Sequence, residues 1–198
     1  MESAELTFWS DVAGRGMERA VDGLSKLCDR RISIGTFQLK QTPMGEIAQL
    51  MGGPEVEAVA TYITISGPAP GHIMFMFHPS MALAFADILM GRPPGTVNAL
   101  GEMEESALAE LGNIMGSAFL TVLSDTTGLR LMPSPPIVLA DMAGALLDVV
   151  AADILLIQDY AFIAETTFND LGHSISGVFV VIPREDLMHA LLEQMRAA

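Results

Sequence analysis

The chain of 198 residues is poor in several residue types, and each scarcity excludes a class of protein. It has a single cysteine, Cys28, so it can form no intrachain disulfide and is compatible with a reducing compartment. Lysine and arginine number 10 against 24 aspartates and glutamates, a formal net charge of −14. This balance argues against binding to nucleic acid or an anionic membrane surface, because both need basic side chains. It fits a partner with a basic patch.

Long apolar runs are also absent from the sequence. No uninterrupted stretch approaches the roughly 20 residues that a membrane span needs. The segment from Gly144 to Ile157 is apolar, but Asp148 and Asp153 interrupt it. The chain starts with Glu2 and Glu5 and without a basic cluster, which is unlike a secretory signal. With 51% hydrophobic and 17% charged residues, we expect a globular protein of the cytoplasm that does not bind membranes.

An amphipathic helix is predicted from Glu102 to Leu123. At about 3.6 residues per turn, Ser106, Glu110 and Asn113 share one face, and Ser117 extends it. A carboxylate and a carboxamide thus project together and could anchor a cation and orient a water. An ordinary solvated helix face is the alternative interpretation of the same pattern. The opposite, apolar face is formed by Leu108, Leu111, Met115, Phe119 and Val122.

The distance from this helix to a proline is the more specific feature. Ser106, Glu110 and Asn113 are followed, after 22 intervening residues, by Pro136. This Ser/Asp-x3-Glu-x2-Asn-x22-Pro spacing resembles the signature of the CheC/CheX/FliY family of chemotaxis phosphatases, and the chain looks like a CheC-type member. Every specified position is filled. The resemblance covers most of the chain, because its length and duplicated layout are also similar to the family's.

The resemblance implies hydrolysis of the aspartyl phosphate of a CheY-like response regulator. In that reaction Asn113 would orient the attacking water and Glu110 would bind the regulator's active-site lysine. Ser106 and Ser117 would support or contact the substrate, and Pro136 would be structural. An acyl phosphate is already activated, so positioning and charge stabilisation are the main tasks of the catalyst. The Mg²⁺ would belong to the regulator, and this chain would bind no metal or cofactor.

The sequence also contains an internal repeat. Residues 14–25 match residues 113–124 at an offset of 99, and residues 71–79 match residues 177–183 at a similar offset. Each half is predicted to contain a helix, a strand, a hairpin and a second helix. We therefore predict one CheC-like domain over residues 1–198, with halves of about 1–95 and 96–198 related by pseudo-twofold symmetry.

The predicted elements give an α+β fold with a largely antiparallel sheet covered by helices, because hairpins join the strands. The predicted helices are Leu6–Asp29, Met81–Met90, Glu102–Leu123 and a last one from Pro183 to about Met195. The predicted strands are Ile32–Leu39, Ala58–Ser66, His72–Phe77, a segment near Ile137–Leu139, Ala152–Phe162 and Ser174–Ile182.

The repeat provides an internal control for the candidate site. The offset of 99 residues places Asp11 at the position of Glu110 and Gly14 at the position of Asn113. Asp11 is one methylene shorter, and Gly14 has no side chain with which to orient a water. Phe37 occupies the proline position. The first copy is therefore predicted to be degenerate, leaving one active site.

Other functions have less support in the sequence. The four histidines lack metal-ligand spacing, and there is no phosphate-binding loop, dinucleotide fingerprint or nucleophile elbow. The main alternative is a non-catalytic module that binds a response regulator, a CheD-like chemoreceptor deamidase or a flagellar switch component. A stand-alone structural oligomer is a third hypothesis. The resemblance favours the phosphatase, because the related switch domains lack the glutamate–asparagine pair.

Overall fold

A computed structural model describes residues 2–154, 160–170, 173–184 and 187. The helices are α1 (Glu2–Cys28), α2 (Ile47–Leu50), α3 (Pro79–Leu89), α4 (Glu102–Thr127) and α5 (Ala143–Ile154), and a 3-10 turn covers Met44–Glu46. The strands are β1 (Ile32–Pro43), β2 (Glu57–Ser66), β3 (Gly71–Phe77), β4 (Met132–Pro133), β5 (Ile137–Met142), β6 (Tyr160–Asp170) and β7 (His173–Pro183).

The strands form one sheet in which every pairing is antiparallel. The order is β1-β6-β7-β3-β2, and β4 and β5 both pair with the outer edge of β2. With β5 placed beyond β2, the order is β1-β6-β7-β3-β2-β5. Exchanging β1 with β5, β2 with β6 and β3 with β7 gives the same order read from the other edge of the sheet. The α+β class and the pseudo-twofold, antiparallel arrangement predicted from the hairpins and the repeat are thus confirmed, and the strands of the two halves are interleaved.

The strand register carries the same symmetry. Pro43 at the end of β1 pairs with Tyr160 at the start of β6. Met142 at the end of β5 pairs with Glu57 at the start of β2. Pro43 and Met142 are separated by the offset of 99 residues that relates the two long helices. The repeat therefore extends from the helices into the edge strands.

The larger hydrophobic core lies between the sheet and helices α1, α3 and α4. Aromatic side chains from both helices and strands fill its centre. The ring of Trp9 stacks on Phe162 at a centroid distance of 5.0 Å and on Phe119 at 6.3 Å. Phe75 and Phe179, on the central strand pair, stack at 4.7 Å. Such aromatic contacts bury large apolar areas and fix how the two long helices lie on the sheet.

Helix α4 belongs to this core. Among the described helices, only α4 is long and apolar enough to cross a membrane, and 56% of its most apolar window is buried inside the protein. Its apolar side chains pack on the sheet and on α1. Gly128, in a left-handed conformation with φ of 69°, ends the helix.

The opposite face of the sheet is covered by α2 and α5, and here the sequence prediction fails. The strand predicted at Ala152–Phe162 is wrong over residues 152–154, which end helix α5. Strand β6 begins at Tyr160 and continues to Asp170, and residues 155–159 lie outside the described part. The helical signal was present, because the residues buried from α5 follow a spacing of i, i+3, i+4 and i+7: Ala143, Leu146, Leu147 and Val150.

Three smaller differences separate prediction from structure. The short elements α2 and β4 were not predicted, and β1 continues to Pro43 rather than ending at Leu39. Pro183 is the last residue of β7 and so precedes the predicted last helix, in which Leu187 is helical. Most of the helix predicted from Pro183 to about Met195 lies outside the described residues.

Candidate functional site

Helix α4 presents the candidate residues on its solvent side. Ser106, Glu110 and Asn113 are exposed, and Ser117 is half-buried. The five residues predicted to form the apolar face of this helix are all buried: Leu108, Leu111, Met115, Phe119 and Val122. The core thus holds one side of the helix and leaves the carboxylate and the carboxamide in water.

The beginning of α4 is fixed by polar contacts just before the candidate residues. The Glu104 carboxylate accepts a hydrogen bond of 3.2 Å from the backbone N–H of Gly101, at the helix N-cap. The Arg92 guanidinium lies 3.2 Å from the other Glu104 oxygen, in a partly buried ion pair. In the segment that joins α3 to α4, the backbone N–H of Thr96 donates to the buried Asp87 carboxylate at 2.9 Å. These contacts tie α4 to the end of α3.

The side chains of Glu110 and Asn113 have no hydrogen bond or ion pair within the described part of the chain. Residues three apart on a helix are surface neighbours, with about 5–6 Å between their Cβ atoms. One acceptor group and one group that both donates and accepts are therefore adjacent and available to a visiting molecule. The arrangement can bind a cationic group and align a water beside it.

Pro136 lies next to this pair although it is distant in sequence. A Cβ placed on Gly112 would be 3.3 Å from the Cβ of Pro136, which is closer than ordinary van der Waals contact. Gly112 immediately precedes Asn113. Strand β5 begins directly after the proline and pairs with β2, so the sheet holds this segment in place. The structure thus places Pro136 against the backbone of α4, one residue before Asn113.

A buried contact beneath Glu110 and Asn113 was not predicted from the sequence. The Thr61 hydroxyl, on β2, donates to the backbone carbonyl of Leu108 at 3.3 Å. A Cβ on Gly112 would overlap the Cγ2 methyl of Thr61, and one on Gly116 would lie 2.6 Å from Cδ1 of Ile63. Two glycines four residues apart were the available signal, since small residues on one helix face permit close approach to a neighbouring element.

The matching position in the first half has different chemistry. The Asp11 carboxylate forms an ion pair of 2.8 Å with Arg15, four residues later on α1. Arg15 also donates to the Thr126 hydroxyl at 2.9 Å. Gly14 faces open space and, with Phe37, lines a shallow groove of about 370 Å³. The first half therefore has no carboxylate–carboxamide pair.

The described residues contain no group of three histidine, cysteine, aspartate or glutamate side chains placed to hold a metal. His72 is buried, with Nδ1 2.7 Å from the Tyr62 hydroxyl oxygen. His78 and His173 are exposed, and His189 lies outside the described residues. The exposed face of α4 is therefore the candidate site that the geometry favours.

Comparison with known proteins identifies relatives that share this helix. The model of the CheC-like family matches residues 103–139, which contain all four motif positions. The chain is 28% identical over 175 residues to the CheY-P phosphatase CheC of Bacillus subtilis (strain 168). The match covers 87% of this chain and 84% of that protein.

Two solved structures share the fold. FliY of Thermotoga maritima superposes with a TM-score of 0.76 and 20% identity, over 98% of this chain and 96% of that one. A chain from the CheX–CheY–BeF3–Mg²⁺ complex of Borrelia burgdorferi superposes with a TM-score of 0.55 and 18% identity. That match covers 89% of this chain and 99% of the other.

Proposed function

We propose, on the premise that the chain is CheC-like in motif, sequence and fold, that it hydrolyses the aspartyl phosphate of a CheY-like response regulator. The observation that carries the proposal is the exposed and unpaired Glu110–Asn113 couple on helix α4, beside Pro136. The similarity to a CheY-P phosphatase over most of the chain supports the same activity.

Asn113 is proposed to orient the attacking water. Its carboxamide has both donors and an acceptor, so it can hold a water in line with the phosphorus. A carboxamide is a poor base, but a loose phosphoryl transition state needs little help from a base. The contribution of Asn113 is then geometric, since a bound and aligned water replaces one that must be collected from solution.

Glu110 is proposed to dock on the active-site lysine of the regulator. A carboxylate that receives a charge-assisted hydrogen bond from an ammonium group fixes both affinity and register. That contact would direct Asn113, one helical turn away, toward the phosphoryl group. Ser106 and Ser117 flank the pair on the same face and are proposed as supporting or substrate-contacting residues. Pro136 is proposed to be structural.

The regulator is proposed to supply the Mg²⁺, because an acyl phosphate bound in a regulator carries its own counterion. Asp11 and Gly14 are proposed to be a degenerate copy without activity. We also propose that residues 1–198 form a single domain, and that the protein acts in the cytoplasm, where its substrate would be.

A non-catalytic binding module is the second candidate function. It is a candidate because the similarity to FliY is one of fold, and a shared fold does not by itself specify catalysis. In that case the same helix face would hold a phosphorylated regulator without turnover, or another surface would bind a CheD-like deamidase or a flagellar switch component.

Release of inorganic phosphate from a phosphorylated CheY-like regulator separates the two functions. A phosphatase accelerates release above the regulator's own hydrolysis, at substoichiometric concentrations of this protein. A binding module changes the rate only in proportion to the complex formed, or not at all. Absence of turnover with a regulator that binds would contradict the phosphatase proposal.

A further inference from the structure

We propose that Thr61 and Gly112 are positioning residues, which together form a seat that sets the location of Glu110 and Asn113 for the reaction. The two residues, called here the helix seat, lie where α4 packs on strand β2. The inference rests on the proposed phosphatase activity and adds to it the part of the sheet that places the reactive side chains.

The structure leaves no room for a side chain at Gly112. Gly112 is buried, and a Cβ at this position would overlap the Cγ2 methyl of Thr61. The same Cβ would also lie 3.3 Å from the Cβ of Thr61 and 3.3 Å from that of Pro136. The helix backbone thus lies close to both the strand and the motif proline, and a larger residue at 112 must displace the Thr61 side chain.

Thr61 also forms a hydrogen bond to the helix on the other side of Glu110. The Thr61 hydroxyl donates to the Leu108 carbonyl at 3.3 Å, and Thr61 is only 1% exposed. Leu108 and Gly112 lie one turn apart, on either side of Glu110 in sequence. A single buried side chain therefore contacts the backbone on both sides of the proposed docking carboxylate.

The contact continues along the helix with the spacing of a strand. Ile63 follows Thr61 by two residues and so lies on the same face of β2, and it meets the helix at Gly116. The first half lacks this feature in its sequence. At the offset of 99 residues, Ala13 and Met17 replace the two glycines. The half that lacks the carboxylate–carboxamide pair also lacks the two glycines that allow the close approach.

The seat bears on chemistry because Asn113 is bonded directly to Gly112. A residue larger than glycine at position 112 would distort the backbone between Glu110 and Asn113 and so displace the carboxamide relative to the docked carboxylate. A misplacement of about 1 Å in a positioned catalytic group costs on the order of 100-fold in rate. The seat is therefore expected to affect kcat more than KM.

A compensation experiment tests the proposal, with phosphate release from phosphorylated CheY-like regulator as the readout. Gly112→Ala is expected to lower kcat by about 10- to 100-fold, with a smaller change in KM. Thr61→Ser keeps the hydroxyl, removes the clashing methyl and is expected to retain nearly full activity. The Thr61→Ser/Gly112→Ala double variant is expected to recover most of the lost kcat. A folded Gly112→Ala protein with unchanged kcat, or a double variant no better than Gly112→Ala, overturns the proposal.

Two further variants keep the test decisive. Gly14→Ala makes the same change on α1, where an added Cβ meets nothing within 4 Å, and is expected to leave kcat unchanged. If Gly112→Ala does not fold, Thr61→Val decides, because it keeps the shape and removes the hydrogen bond. It is expected to lower kcat by about fivefold, and an unchanged kcat contradicts the seat. Failure of the wild-type protein to release phosphate would contradict the proposed function instead.

Discussion

On α1, the Asp11 carboxylate lies 2.8 Å from the Arg15 guanidinium, whereas Glu110, 99 residues later, has no ion pair in the described part of the chain. The cause is visible in the sequence. The position four residues after Glu110 is Ile114, where α1 has Arg15. The first carboxylate is therefore neutralised within its own helix, and the second is left available to a partner.

Asp11→Ala is expected to leave phosphatase activity unchanged. Both members of the Asp11–Arg15 pair are exposed, so their loss is expected to change the free energy of unfolding by less than about 0.5 kcal/mol. Phosphate release and denaturant unfolding measure the two effects. A loss of activity comparable to that of Asn113→Ala would show that the first half retains a working site.

Asn113→Ala is expected to lower kcat by on the order of 100-fold, while regulator binding stays close to wild type. The reason is that Asn113 is proposed to act on the water and Glu110 on the regulator. Phosphate release gives the rate, and titration with a BeF3-activated regulator gives the affinity. Asn98→Ala, which removes another exposed asparagine away from α4, is the control and is expected to have no effect.

Glu110→Ala is expected to weaken regulator binding by about 10- to 100-fold, because a charge-assisted hydrogen bond contributes roughly 1.5–3 kcal/mol. Turnover falls with it. Glu110→Gln keeps the shape and is expected to be intermediate, with a smaller dependence of binding on salt. Glu105→Ala removes an exposed charge from a different side of the same helix and serves as control. Equal effects of the two alanine variants would argue against a specific lysine contact.

Two glycines of α1 are expected to respond to alanine in opposite directions. Gly14 faces open space, so Gly14→Ala is expected to stabilise the protein by about 0.5–1 kcal/mol. At Gly16 an added Cβ would lie 2.9 Å from the Cα of Phe119 on α4, so Gly16→Ala is expected to destabilise by about 1–3 kcal/mol. Urea unfolding of both variants measures the difference. Equal shifts would mean that α1 and α4 are less closely packed than described.

Burial raises the pKa of the Cys28 thiol above its ordinary value; the Arg30 guanidinium offsets part of that increase, and the Asp170 carboxylate adds a smaller one. The folded state thus favours the neutral thiol. Its contribution to stability is complete below the pKa of the unfolded thiol and is lost as pH rises through the higher folded value. We expect slow alkylation by iodoacetamide at pH 8, and a steeper alkaline loss of stability in the wild type than in Cys28→Ser. If stability fell with rising pH in the same way in both proteins, the raised pKa of Cys28 would be contradicted.

The successes and failures of the sequence interpretation have physical causes. The face of α4 was predictable because a strict 3.6-residue period separated its polar and apolar residues. The strand predicted at Ala152–Phe162 was wrong over residues 152–154 because a continuous apolar run does not distinguish a buried strand from a buried helix. The ambiguity is resolved by the spacing of the buried residues of α5 from Ala143 to Val150, which is that of a helix and not of a strand.

The roles of Thr61 and Gly112 could not be read from the sequence. Thr61 is one polar residue in an apolar strand, and 51 residues separate it from Gly112. Their contact depends on how closely a helix and a strand approach, a quantity that no local pattern contains. The same holds for Pro136, whose spacing from Asn113 was recognisable while its contact with Gly112 was not.

The order of residues alone determined that Glu110 and Asn113 share the solvent-exposed side of a helix and that the first half lacks their equivalents. Both conclusions follow from residue spacing, the first from the helical period and the second from the repeat offset. Tertiary structure decided that this helix rests on β2 through Gly112, with Pro136 beside it and Thr61 beneath. Side chains distant in sequence meet only when the sheet closes, because packing distances arise from the whole core and from no single segment.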